Sequence, residues 1–230
     1  MKHRGLKIAF VSSMSVLLII VFIVLAEKLF QPENTDYGDD KGKEATEATS
    51  GKKDLVIDPF LTGDAITVDY LTPNDYSRPG TKLKQVNAIV VHYVGNPGTT
   101  AAQNRSYFEG LKDNHVTSAS SHYIVGLDGE IIQCVPLDEI SYASNERNKD
   151  TIAIECCHPD DTGKFNAATY RSLVKLTAAL CRTYGLSVDS GVIRHYDVTG
   201  KKCPLYYVDH EEEWYEFKLN VKSEINDQQD

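Results

Sequence analysis

The sequence predicts an α/β domain, a mixed central β-sheet flanked by helices, preceded by a single transmembrane helix and a flexible tether. Three observations carry this. From Val86 onward, short β-branched runs interleave with stretches of helical periodicity, the pattern of strands covered by helices. An uncharged run of 19 residues, "IAFVSSMSVLLIIVFIVLA" from Ile8 to Ala26, comes after Lys2, Arg4 and Lys7. Between the two lies a charged stretch almost free of large apolar residues.

At 1.5 Å per residue, a helix over Ile8–Ala26 nearly crosses a hydrocarbon core of roughly 30 Å. Small residues at Val24 and Ala26 would also suit a cleavage site, but the run exceeds the roughly 7 to 15 apolar residues of a signal peptide. The expectation is therefore an uncleaved single-pass anchor in the cell membrane. Residues 1–7 form a basic cytoplasmic flank, and the rest of the chain lies outside the cytoplasm, or is secreted if the segment is cleaved. The first 26 residues hold 3 of the 24 basic residues and none of the 33 acidic ones, so the rest of the chain carries 21 basic against 33 acidic, a net −12. Such a balance gains nothing from phosphate counterion release, which argues against a nucleic-acid partner. Residues 27–54, with "QPENTDYGDDKGKEATEATSGKKD", cannot bury enough apolar surface to offset ordering entropy and read as a disordered acidic tether. Residues 55–85 mix short apolar runs with turn formers such as "TPND" and "SRPG" and read as a lead-in strand and loops.

The compact part opens with "VNAIVVHYV", Val86 to Val94, whose β-branched run suits a buried strand ending near His92. "NPGTTAAQNRSYFEGLKDN" reads as a turn and a helix with Tyr107, Phe108 and Leu111 on its apolar face. In "SSHYIVGLDGEIIQCVP" two short strands meet at a turn signalled by Asp128 and Gly129. "DTIAIECC", Asp150 to Cys157, is another strand, and alternation puts Ile152, Ile154 and Cys156 on one face, Ala153, Glu155 and Cys157 on the other. A long helix comes next, capped by Asn166, with Tyr170, Leu173, Val174, Thr177, Leu180, Cys181 and Tyr184 at helical spacing and Gly185 at its end. "SGVIRHYD" returns as a short strand ending at His195, and the acidic, aromatic tail from Val208 forms a last helix before a disordered end over 225–230.

Two histidines at strand ends converge on one sheet edge, and Cys203 stands eight positions after His195. Histidine and cysteine are zinc ligands, and three protein ligands with an open fourth position make a catalytic site. His92, His195 and Cys203 could supply that set. By spacing alone, hydrogen-bonded histidines and a small buried cysteine explain the same residues.

Four blocks in order, "AIVVHY", "SSHYIVGLDGEIIQCVP", "NKDTIAIE" and "RHYDVTGKKCP", give more. Over about Val86 to Phe217 the chain resembles the zinc-dependent N-acetylmuramoyl-L-alanine amidases of the phage-lysozyme and peptidoglycan-recognition type, the amidase type 2 domain. The resemblance implies a zinc amidase domain over 86–224, acting on peptidoglycan, with Zn2+ held by His92, His195 and Cys203. It implies Glu155 as the base for the attacking water and Lys201 as the cation facing the oxyanion, roles that amide hydrolysis demands. Some relatives use a tyrosine before the second-block histidine; Ser121 stands there, which favours the glutamate route. His122 is expected beside the metal, in contact with substrate or with a ligand's outer side. Tyr142, Asn145, Arg147 and Asn148 fill the stretch where relatives line the glycopeptide groove. His115, His158 and His210 sit in polar loops and are expected to be solvated.

Two other readings remain open: a recognition module that binds peptidoglycan without cutting it, and a zinc peptidase acting within the stem peptide. Cys134, Cys156, Cys157 and Cys181 are as well explained by buried free thiols as by disulfides. A monomer is expected.

Overall fold

The computed structural model describes residues 66–227. The anchor segment 8–26, the tether and the first part of the lead-in lie outside the described residues. Among the described residues, no helix is long and apolar enough to cross a membrane.

Six strands form one sheet: β1 (Ile66–Val68), β2 (Ala88–Tyr93), β3 (Tyr123–Val125), β4 (Ile131–Gln133), β5 (Thr151–Cys156) and β6 (Val192–Arg194). Their order is β1-β4-β3-β5-β2-β6. The β3–β4 hairpin is antiparallel, and the other pairings are parallel, so the sheet is mixed. Parallel strands need crossovers that cover both faces. Helix α1 (Ala101–Asn114) covers one face, packing Phe108 and Leu111 against Ile124, Cys134 and Cys157. Helices α2 (Ala167–Tyr184) and α6 (Glu211–Asp227) cover the other, where Leu173, Leu180, Trp214 and Phe217 join Ile89, Val91, Ile152 and Ile154. The alternation expected for β5 holds: Ile152, Ile154 and Cys156 face α2, while Cys157 belongs to the α1 side.

Local chemistry fixes the element ends. Asn166 Oδ1 accepts from the Ala168 and Thr169 amides at 2.9 Å each, and Gly185 closes α2 in the left-handed region at φ 64°. Thr100 and Gln103 form a reciprocal capping box at α1.

Four boundaries differ from expectation. His195 does not end a strand. It opens the short helix α4 (His195–Thr199), because Asp197 Oδ2 accepts the Arg194 amide at 2.8 Å and turns the chain. The tail breaks at His210 into α5 (Leu205–Asp209) and α6, and α6 runs on to Asp227, past the boundary expected at 224. A one-turn helix, α3 (Val188–Gly191), precedes β6. The lead-in supplies β1, parallel to β4. It is then held by Leu71, whose amide donates to the Cys134 carbonyl at 2.8 Å, and by Arg78, whose Nε donates to Glu139 Oε2 at 2.8 Å.

All five cysteines are buried free thiols. His158 is corrected: it is 1% exposed rather than solvated, its Nδ1 bonded to the Asp160 carbonyl at 2.8 Å.

Candidate metal centre and active site

Register builds the pocket. His92 pairs with Glu155 across β2 and β5, and Val91 with Arg194 across β2 and β6. The C-terminal ends of three parallel strands therefore set His92, Glu155 and His195 side by side, where open α/β sheets place their ligands. Cys203 comes back to this edge because the Tyr196 amide donates to its carbonyl at 2.9 Å. The ligand atoms of His92, His195 and Cys203 lie within 4.8 Å of one another, and all three residues are buried. Cys203 Sγ is 3.8 Å from His92 Nδ1, and Glu155 Oε1 is 4.0 Å from the same nitrogen.

The outer sides of both imidazoles are taken. His92 Nε2 meets Ser144 Oγ at 3.2 Å, and His195 Nε2 meets Asn145 Oδ1 at 3.0 Å. An amide oxygen can only accept, so His195 Nε2 carries the proton and its Nδ1 keeps a lone pair. Burial, reinforced by His195 and the Lys201 charge, holds His92 well below the usual histidine range. Burial, then Lys201, lowers His195 as well. Neutral imidazoles with free lone pairs are the form that binds a metal. Burial pushes the Cys203 thiol up to about 12, with Glu155 adding to it. A cation held here reverses that shift, since a coordinating thiol is deprotonated. Two imidazoles and one thiol, gathered within reach of a single ion, fit a divalent metal.

Glu155 is the remaining group at this edge. Burial raises its carboxyl to about 8, against the pull of Lys201, and its Oε2 is buried without a hydrogen-bond partner among the described residues. A cation held by the neighbouring ligands would lower it again, as for the thiol. Lys201 lines the same pocket of about 420 Å³. Its neighbour Lys202 is instead paired to Asp209 at 2.6 Å, which separates the two lysines.

The other expected contacts divide. Tyr142 lines the pocket, together with Tyr93, Ala119 and Ser120, which the sequence did not mark for the site, and Phe108, expected only on the apolar face of its helix. His122 does not line it and is corrected: it is fully buried, and its Nε2 meets the Glu139 carbonyl at 2.9 Å. Its Nδ1 accepts the Ala153 amide at 3.0 Å and contacts Ser141 Oγ. Asn145 is also a partner of His195. Asn148 Oδ1 is occupied by the Ala143 and Ser144 amides at 3.1 and 2.6 Å. Arg147 lies outside the pocket lining and pairs with Asp150 at 2.8 Å. Asn145, Arg147 and Asn148 belong to a short 3-10 segment, Asn145–Lys149, whose internal bonds no spacing rule announces. Ser144, also missed, carries no sequence signal at all.

Fold and pocket together define a class: a mixed α/β domain with a His-His-Cys cluster and a carboxylate at the C-terminal edge of its sheet. Residues 82–205 match the N-acetylmuramoyl-L-alanine amidase family (Amidase_2), and the chain belongs to that family. A probable N-acetylmuramoyl-L-alanine amidase of Bacillus licheniformis is 34% identical over 167 residues, 67% of this chain and 46% of that protein. The N-acetylmuramoyl-L-alanine amidase BlyA of Bacillus subtilis (strain 168) is 32% identical over 180 residues, 70% of this chain and 47% of that protein. The chain thus spans about half the length of the curated relatives it matches. Among solved structures, the catalytic domain of XlyA is similar with a TM-score of 0.56 and 27% identity, covering 68% of this chain and 98% of that one.

Proposed function

We propose that the chain is a zinc-dependent peptidoglycan hydrolase that cuts the amide between the lactyl group of N-acetylmuramic acid and the first L-alanine of the stem peptide. The observation that carries this is the gathering of His92, His195 and Cys203 within 4.8 Å at one sheet edge. Family membership supports the choice of bond. Imidazole and thiolate donors with one open position favour zinc. Zinc, when bound to His92, His195 and Cys203, supplies Lewis acidity for amide hydrolysis at neutral pH.

The chain's own groups do the rest. Glu155 takes a proton from the attacking water and returns it to the departing amine of L-alanine, a transfer that its place at the cluster, with Oε1 4.0 Å from His92 Nδ1, supports. Lys201, in the pocket lining, offers its ammonium to the charge that develops on the carbonyl oxygen. Tyr142 and Phe108 give the pocket aromatic surface against which a glycopeptide can pack. The apolar run Ile8–Ala26 supports a membrane-tethered, outward-facing protein.

Mass analysis of fragments from purified peptidoglycan tests the bond assignment. The amidase leaves whole stem peptides beginning with L-alanine and glycan bearing unmodified lactyl groups. Truncated stems still attached to glycan would instead indicate a peptidase, and binding with no fragments a recognition module.

A further inference from the structure

The two histidines of the cluster come from different parts of the chain, yet their outer nitrogens are met by consecutive residues. Ser144 Oγ is 3.2 Å from His92 Nε2, and Asn145 Oδ1 is 3.0 Å from His195 Nε2. We infer that Ser144 and Asn145 act as a pair of positioning residues that set the orientation of both metal-binding imidazoles, and through Asn145 the tautomer of His195, from one segment. This rests on the zinc reading above.

The segment is built for the task. Asn148 Oδ1 accepts the Ala143 and Ser144 amides, closing the turn from inside. The Tyr142 amide donates to Ser120 Oγ at 2.9 Å, and the Ser120 amide to the Tyr142 carbonyl at 3.1 Å, which fastens the segment's start to the pocket wall. Asn145 adopts the left-handed region at φ 53°, a conformation uncommon for residues other than glycine, asparagine and aspartate. That turn carries its side chain to His195. The two contacts differ in exposure, since Ser144 is fully buried and Asn145 is exposed. Water can reach the vicinity of Asn145, whereas Ser144 Oγ is the group that meets the buried His92 Nε2.

Neither partner is a carboxylate. The pair therefore fixes the orientation of both rings, and Asn145 the proton on His195 Nε2, without adding negative charge beside the metal, unlike the carboxylate–histidine arrangements found at many zinc sites. Glu155 Oε1 lies 4.0 Å from His92 Nδ1, whereas Glu146, next to Asn145, acts on His195 through its charge.

The test is zinc affinity of the full chain, measured by competition with a chelator of known affinity, for Ser144→Ala, Asn145→Gly, the double variant and Asn145→Asp. Glycine keeps the left-handed backbone without strain and removes only the acceptor; aspartate keeps the acceptor. Loss of one such outer partner weakens metal binding by about 10- to 100-fold. Ser144→Ala and Asn145→Gly are each expected to weaken zinc binding by about 10-fold or more. The double variant should lose at least as much as either single variant, and Asn145→Asp should stay within about threefold of the parent. The thermal midpoint of the metal-free protein should be unchanged by Asn145→Gly, and the visible spectrum of the cobalt-loaded protein should shift. Zinc affinities of Ser144→Ala and Asn145→Gly within about twofold of the parent would overturn the inference. So would equal losses in Asn145→Gly and Asn145→Asp, which would assign the effect to the segment's fold rather than to the acceptor. A parent protein that binds no zinc overturns the functional reading itself, a result distinct from either.

Discussion

Half-buried Glu155 on β5 and fully buried His122 just before β3 are titratable groups whose surroundings give them opposite roles. Glu155 has an oxygen with no partner among the described residues and faces the cluster; His122 has both ring nitrogens occupied. Replacing Glu155 by Gln removes the proton carrier while keeping the side chain's size. Turnover of peptidoglycan should fall by about 10²- to 10⁴-fold, with bound zinc unchanged when measured by metal analysis. Near-normal turnover would show that the base lies elsewhere. His122 makes a prediction about stability. Burial lowers its pKa from 6.5 to about 4, so the unfolded chain binds more protons between those values and stability must decline as pH falls through that window. The contribution reaches about 3 kcal/mol by pH 4. Denaturant titrations of the metal-free protein at pH 7 and pH 4 should show that His122→Gln loses correspondingly less stability across the interval than the parent. Equal losses in the two proteins would contradict the assignment. The two residues also mark what sequence could yield. Glu155 was legible because strand alternation and block order both point to it. His122 sits in an equally suggestive block, and only the tertiary placement of Glu139 and Ser141 reveals that it is already satisfied.

Among the elements, β2, β5 and α2 were readable because each is long enough for one period to dominate: β-branched runs in the strands, a helical stripe in α2. Asn166 caps α2 by accepting two amides and also donates to the Leu127 carbonyl at 2.8 Å, so it couples the helix to the β3–β4 turn. Asn166→Ala should lower stability by about 1 to 2 kcal/mol, read as a fall in the denaturant midpoint at unchanged slope. No change would mean that α2 does not depend on its cap. Short elements were less legible because their ends are decided by single contacts. The switch from β6 to α4 at His195 depends on Asp197 capturing the Arg194 amide. The break at His210 and the 3-10 turn at Asn145 have no periodicity to read. β1 is three residues whose pairing is set by β4, more than sixty positions away.

At the scale of the molecule, the lead-in is part of the domain rather than a linker. Leu71 is 1% exposed within the α1-side core, and Arg78 ties the loop to Glu139. Residue 82, where the family match begins, therefore falls inside a folded unit whose described part starts at Ile66. The sheet's arrangement gives the chemistry its location, because parallel strands β5, β2 and β6 deliver Glu155, His92 and His195 to one edge. The central claim is that this edge is a zinc site that opens the bond to L-alanine. The most direct measurement incubates the protein with purified peptidoglycan and tracks new L-alanine amino termini over time, with and without a chelator, and again after zinc is restored. The account predicts steady release, its loss with chelator, and its return with zinc. Release that persists in the metal-free protein, or none from the folded, zinc-loaded protein, would contradict it.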